Sequence, residues 1–412
     1  MKNLLKIHDF AFLKLLSYRI LIVLAYQMLA VAVGWHIYEI THDPLSLGLI
    51  GLAEVIPYFS TALFAGYAID HHLSRRFFAM LAAFMLLLNA LILTAISAEW
   101  LHVSSQTNVT FWIYASIAFT GFARAFIAPS YNTLFAIIIP RKKYAQAAGI
   151  GSAMFQIGLI LGPAIGGLLI GFANKTVAYC VAAALCFVGL IAIAMIKVQE
   201  PKAPDERLPI FQSIHEGLKF VFSNQIVLGA MTLDMFAVLF GGAVAMLPAF
   251  IKDIYHLGPE SLGILRASPA IGAILTGLWL AKHPINDHAG RWLLGAVAGF
   301  GLCMIGFGLT AHFWVAALML LLSGIFDGIS VVMRQTILQL ATPDAMRGRV
   351  SAINGIFIGS SNELGAFESG VAARLLGLVP SVIFGGVATL SVVGMTAKLA
   401  PKLRRLELQQ LH

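Results

Sequence analysis

The sequence predicts an all-α membrane protein, with twelve transmembrane helices arranged as two six-helix bundles related by a pseudo-two-fold axis. Three observations carry that prediction. The 412 residues are 59% hydrophobic and 11% charged, whereas soluble domains hold about 25% charged residues. A water-facing fold has no way to hide so much apolar surface. The runs Ile20 to Tyr38, Phe77 to Ala98, Thr176 to Ile196 and Leu375 to Ala397 contain no Asp, Glu, Lys or Arg, and each approaches the ~20 residues a helix needs to cross ~30 Å of hydrocarbon. Third, the two halves of the chain repeat each other.

In order, the spans fall at about 14–40, 46–69, 77–97, 110–139, 146–172, 175–195, 226–251, 261–281, 291–310, 313–341, 349–376 and 380–398. Strand-type spans would be ~10 residues of alternating polarity, a pattern that is absent. The first run has no small-residue cleavage site and is kept as helix one rather than read as a signal peptide. The run Trp292 to Phe326 is too long for one span, and His312 marks a tight turn within it. Cys180, Cys186 and Cys303 lie in apolar spans, where cysteine behaves as a small hydrophobe, so no disulfide is expected.

The longest polar stretch, 197–224, separates spans six and seven. Pro201, Pro204 and Pro209 make its first part an extended linker. Phe211, Ile214, Leu218, Phe220 and Val221, with polar residues between them, make its second part a short helix lying on the membrane surface. The domain plan is an N-terminal bundle over 1–196, a linker with an interfacial helix over 197–225, a C-terminal bundle over 226–399 and a tail over 400–412.

The formal net charge of +8 belongs to topology. With the N-terminus in the cytoplasm, twenty Lys and Arg residues from Lys2 to Arg405 fall on the cytoplasmic side, and only Lys175 and Lys252 fall outside. The positive-inside rule then places both termini in the cytoplasm, and no nucleic-acid partner is expected. A shift of 203 residues sets Gly121 on Gly324, Pro140 on Pro343, Gly162 on Gly365, Gly167 on Gly370 and Arg124 on Asp327. Spans two and eight match best at a shift of 211 (Ala62 to Gly66 against Ala273 to Gly277), so one loop differs in length between the halves.

Three stretches carry motifs. Gly66-Tyr-Ala-Ile-Asp70-His-His-Leu-Ser-Arg75-Arg76 joins spans two and three. Gly158-Leu-Ile-Leu-Gly162-Pro163-Ala-Ile-Gly166-Gly167 in span five puts glycine at every fourth position, a flat face for tight helix packing. The second half carries Leu233-Asp234, Gly263-Ile-Leu-Arg266-Ala-Ser-Pro269, Arg334-Gln335, Arg347-Gly348-Arg349 and Asn362-Glu363-Leu-Gly365-Ala-Phe-Glu368. Together they resemble the major facilitator superfamily and, within it, the branch of enterobactin-type siderophore exporters and related secretion proteins. The resemblance covers nearly the whole chain. It implies that Asp70 with Arg75 and Arg76 forms a cytoplasmic latch, although His71 and Leu73 depart from the family loop; a basic topogenic turn is the other reading. It also implies that Gly162, Pro163, Gly166 and Gly167 form the motif of antiporters.

Ionisable groups at membrane depth cost ~2.5–3.5 kcal/mol each on insertion scales, so they face a cavity or a partner. The candidates are Glu54, Arg124, Asp234, Arg266, Asp327, Arg334, Glu363, Glu368 and Arg374. Asp327 and Arg334 are seven apart, on one helix face but ~10 Å along the axis; Arg124 and Tyr131 stand in the same relation. Glu363 and Glu368 are five apart, about 140° around the helix, and do not share a face. In the superfamily, helices one, four, seven and ten line the cavity, so the resemblance favours Arg124, Asp234, Asp327 and Arg334 as cavity residues, with Tyr26 and Gln27 adding hydrogen bonds. The alternative is that these charges pair between helices and hold the bundles together. For Arg374, near an outer helix end, snorkelling is the expectation.

The resemblance implies a secondary transporter of the bacterial inner membrane, and the expected activity is proton-coupled export of a siderophore or similar amphipathic metabolite. Asp234 and Asp327 are the candidate proton carriers, and Arg124 and Arg334 the candidate holders of an acidic substrate group. Siderophore uptake and multidrug efflux are the rival transport readings, and a membrane receptor or lipid flippase the rival outside transport. No Gly-x-x-x-x-Gly-Lys loop is present, no enzyme site emerges, and no cofactor is expected. His36 and His42 read as interfacial histidines, and no metal is expected. The expected partners are a siderophore-like small molecule, protons and the lipid bilayer, and the expected state is a monomer.

Overall fold

The computed structural model of the chain describes residues 7–71, 75–100, 106–140, 143–198, 210–283, 285, 287–343 and 346–407. The regular structure among them is helical: α1 (Ile7–Thr41), α2 (Pro44–His71), α3 (Arg75–Ser97), α4 (Gln106–Ile138), α5 (Tyr144–Phe172), α6 (Lys175–Ala194), α7 (Ile210–Ser223), α8 (Gln225–Phe240), α9 (Leu247–Ala249), α10 (Glu260–Lys282), α11 (Ala289–Leu309), α12 (Phe313–Ala341), α13 (Arg347–Leu376), α14 (Leu378–Leu399) and α15 (Pro401–Arg404). Eleven candidate spans among the described residues are long and apolar enough to cross a membrane. The expected span at 349–376 is not among them. Its helix, α13, has the length, 30 residues, but Asn354, Asn362, Glu363, Glu368 and Arg374 make it too polar to qualify by composition. Counting it gives the twelve spans that the sequence predicts.

The chain divides into two units. The first comprises Met1–His42, Ala53–Arg207 and Gly258–Ala267; the second comprises Asp43–Leu52, Leu208–Leu257 and Ser268–His412. In the first unit α1 packs on α5 and α6, and α3 packs on α4 and α6. Lys14 Nζ donates to the Met195 carbonyl at 3.0 Å and Arg76 donates to the Ile196 carbonyl at 2.5 Å. Two cations thus meet carbonyls just past the end of α6, where the helix leaves acceptors unpaired. In the second unit α11 packs on α12 and α14, and α13 lies against α8 and α14.

The repeated glycines perform matching tasks in the two units. A methyl built on Gly162 of α5 would stand 2.6 Å from Cβ of Gln27 on α1, and one on Gly365 of α13 would stand 2.8 Å from the Leu239 carbonyl on α8. The second pair repeats the pattern. A methyl on Gly167 would stand 2.7 Å from the backbone nitrogen of Gly263 on α10, and one on Gly370 would stand 2.6 Å from Cα of Gly48 on α2. Side chains at these positions would force the helices apart, so small residues set the helix spacing.

Span seven falls where expected, over Gln225–Ile254, but is not a uniform α-helix: α8 stops at Phe240, a 3-10 turn follows (Gly242–Met246), and a π-helical turn (Phe250–Ile254) ends the span. Pro248 has no N–H to give to the carbonyl four residues back, and a methyl on Gly241 would stand 2.6 Å from the Phe300 ring. The segment from 211 forms a helix, α7. Its Val221 is buried with Val227, Met231, Leu338, Val350 and Ile353, and Leu218 and Phe220 pack against them.

Candidate functional site

The first unit holds a charged cluster built by α1, α2 and α4. Glu54 on α2 is buried and accepts from Arg124 Nη1 on α4 at 2.5 Å and from the Tyr26 hydroxyl on α1 at 3.0 Å. The Arg124 guanidinium stands 5.1 Å from the Tyr26 ring centroid and 5.2 Å from that of Tyr58. Gly121, one turn before Arg124, lies against the Glu54 carbonyl with no room for a Cβ, and this close approach lets the guanidinium reach the carboxylate. Cation and carboxylate cancel, and aromatic faces stabilise the cation further.

The second unit holds a different set. Asp234 on α8 and Arg334 on α12 form a charge-assisted hydrogen bond, with side chains 4% and 3% exposed. Asp327 lies seven residues before Arg334 on α12, half-buried and within electrostatic reach of both Asp234 and Arg334. It makes no ion pair with a described residue. The set therefore holds two carboxylates and one guanidinium, of which one carboxylate is paired.

These pairings bear on the roles expected from sequence. Arg124 and Arg334, the expected holders of an acidic substrate, each already have a carboxylate. Gln27 is half-buried on α1, its Cβ against Gly162. Gly158, Gly162 and Gly166 all face α1, and Pro163 and Gly167 lie by the start of α10. Arg266 on α10, with Glu363 and Glu368 on α13, are half-buried. Arg374 is exposed and pairs with Asp43 at 3.5 Å rather than only snorkelling. Arg75 is buried, whereas the side chain of Asp70 lies outside the described residues. His36 Nδ1 lies 3.2 Å from the Tyr179 hydroxyl, and no group of metal-binding side chains occurs among the described residues.

One residue escaped the sequence reading. Arg19 lies directly before the apolar run of α1, and its guanidinium stands 4.0 Å from the centroid of the Tyr131 ring on α4. The available signal was its spacing. Arg19 and Tyr26 are seven apart on α1, as Arg124 and Tyr131 are on α4.

Long apolar helices that bury charged side chains define a multi-pass membrane protein. Residues 15–366 match the family model of the Major Facilitator Superfamily, and the chain belongs to that superfamily. It is a secondary transporter of a small molecule, not an enzyme. It is 25% identical over 389 residues to the multidrug efflux pump Tap of Mycolicibacterium fortuitum, with 92% of each chain covered. It is also 25% identical over 271 residues to the enterobactin exporter EntS of Escherichia coli, covering 65% of this chain and 64% of that one. Among solved structures, the fold is similar to a POT family transporter in complex with 5-aminolevulinic acid (TM-score 0.75, 12% identity, 95% and 96% covered). It is similar too to a bacterial homologue of the human lysosomal transporter Spinster (TM-score 0.68, 15% identity, 96% of each covered).

Proposed function

We propose that this chain is a proton-coupled exporter, working by alternating access, of a siderophore or similar small amphipathic organic anion across a bacterial inner membrane, with both termini cytoplasmic. The observation that carries the reading is the uneven charge of the α8–α12 site. Asp234 and Arg334 neutralise each other and leave Asp327 as the surplus carboxylate. A surplus carboxylate at membrane depth is costly unless it is protonated or exposed to water, and binding one proton neutralises the whole set. Asp327 is thus the coupling residue in this reading, and Asp234 holds Arg334 in place. Arg124, Glu54, Tyr26 and Gln27 supply polar contacts for substrate in the first unit. The Asp70, Arg75 and Arg76 loop and the Gly162 to Gly167 segment serve the conformational change.

One of the two relatives is an exporter and the other an efflux pump, which supports export over uptake. A siderophore substrate is tested in the host bacterium. Deleting the gene under iron limitation should leave siderophore in the cells and deplete it from the medium, and expression of the intact chain should restore secretion. Unchanged secretion would overturn the substrate. Multidrug efflux stands as a second reading because the match to Tap spans 92% of both chains; raised drug susceptibility of the deletion strain with normal siderophore secretion would favour it.

A further inference from the structure

The charged cluster of the first unit has a counterpart about one heptad away. Helices α1 and α4 run antiparallel, because Tyr26 meets Arg124 while Arg19, seven residues earlier, meets Tyr131, seven residues later. Seven residues are about 10 Å of helix. Each layer pairs an arginine of one helix with a tyrosine of the other, but the helices exchange roles. In the first layer Glu54 neutralises the arginine. In the second, Arg19 makes no ion pair with a described carboxylate.

The second layer is built as a cradle. The Arg19 guanidinium lies over Tyr131 at 4.0 Å and within 5.2 Å of the Phe155 ring on α5. Tyr131 is 5% exposed; its hydroxyl lies within reach of the Arg19 guanidinium, but neither that hydroxyl nor the buried Nε of Arg19 makes a well-formed hydrogen bond among the described residues. A methyl on Gly151 of α5 would stand 2.5 Å from the Tyr131 hydroxyl, so glycine is what leaves the phenol its place. Phe155 is exposed. Buried donors without acceptors are costly, and aromatic faces around a cation with no counter-charge among the described residues favour a ligand that brings both an anionic oxygen and a ring.

We propose that Arg19, Tyr131 and Phe155 form an anion subsite that takes the carboxylate of a small aromatic acid. The carboxylate receives hydrogen bonds from Arg19 and from the Tyr131 hydroxyl, and the ring of the acid lies along Phe155. The subsite deepens the reading of the chain as a transporter of organic anions and rests on it for its purpose, not for its existence.

Equilibrium binding to the full chain in lipid nanodiscs tests it, with salicylate as probe and salicylamide as its neutral analogue. The wild type should bind salicylate saturably and at least tenfold more tightly than salicylamide, since loss of a charge-assisted hydrogen bond costs about tenfold or more. Arg19→Gln should bring the two affinities together. Arg19→Lys should keep part of the preference, Tyr131→Phe should lower it severalfold, and Lys402→Gln, at an exposed position of α15, should leave it unchanged. If Arg19→Gln fails to fold, the Lys and Phe variants carry the test. Absence of saturable salicylate binding, or a preference for the anion that survives in Arg19→Gln or is untouched in Tyr131→Phe, would overturn the proposal. Gradient-driven flux kept in Asp327→Asn with the anion preference present would fail the proton reading alone, and flux lost there in a chain with no anion preference would fail the subsite alone.

Discussion

Removing one member of the Asp234–Arg334 pair should be among the most destabilising single changes in the second unit. Both side chains are almost wholly buried, 4% and 3% exposed, so deletion of either charge leaves the other without compensation. Breaking a buried pair in this way costs about 3–5 kcal/mol, while replacing both partners is far cheaper. Asp234→Asn should sit near the lower end, because the amide oxygen still accepts one hydrogen bond from Arg334. Arg334→Gln should sit higher, because Asp234 and Asp327 are then left together without a cation. The double variant should cost less than the sum of the singles by about 2–3 kcal/mol, the coupling expected of residues in direct contact. Reversible unfolding in mixed detergent and SDS micelles, followed by circular dichroism, gives the four free energies. The exposed pair of Arg374 and Asp43, 59% and 35% exposed, is the internal control, and Arg374→Gln should cost under about 1 kcal/mol. Strictly additive singles, or singles no costlier than Arg374→Gln, would refute the claim that this pair is buried and mutually neutralising.

Three further outcomes are expected. Tyr26→Phe removes one hydrogen bond to Glu54 and should cost about 0.5–1.5 kcal/mol in the same unfolding assay, and no effect would mean that the 3.0 Å contact is not made. Gly167→Ala should cost about 1–3 kcal/mol, because its methyl meets the backbone of Gly263 at 2.7 Å and not a side chain that can swing away; a neutral result would mean that α10 does not approach α5 so closely. In a background free of the three native cysteines, a cysteine at Asn174 should label from the periplasm and one at His288 only from the cytoplasm. The reverse pattern would overturn the orientation taken from the basic residues.

Much of the architecture was legible because the bilayer imposes it. An uncharged apolar run of about twenty residues matches the thickness of the hydrocarbon layer, and the matching glycines at Gly162 and Gly365 exposed the repeat before any contact was known. The break after α8 was harder to read, because hydropathy is blind to it, although Gly241-Gly242 and Pro248 were visible signs. Candidate charges could be named from depth alone, but partners could not. Glu54 and Arg124 are 70 residues apart and Asp234 and Arg334 are 100 apart, and only packing decides which carboxylate meets which guanidinium. The same limit hid Arg19. At the edge of an apolar run it passes for a flanking charge, and its meaning emerges only when Tyr131 arrives beneath it from another helix.

If Asp327 carries the proton that drives transport, its amide variant must separate coupling from exchange. Purified chain in liposomes, loaded with the exported siderophore or with salicylate as a surrogate anion, should show flux that follows an imposed pH gradient. Asp327→Asn keeps the shape and loses the titratable group, so it should abolish gradient-driven flux while still exchanging substrate down its own gradient. Gradient-driven flux at the wild-type rate in Asp327→Asn would contradict the assignment of the proton to this residue.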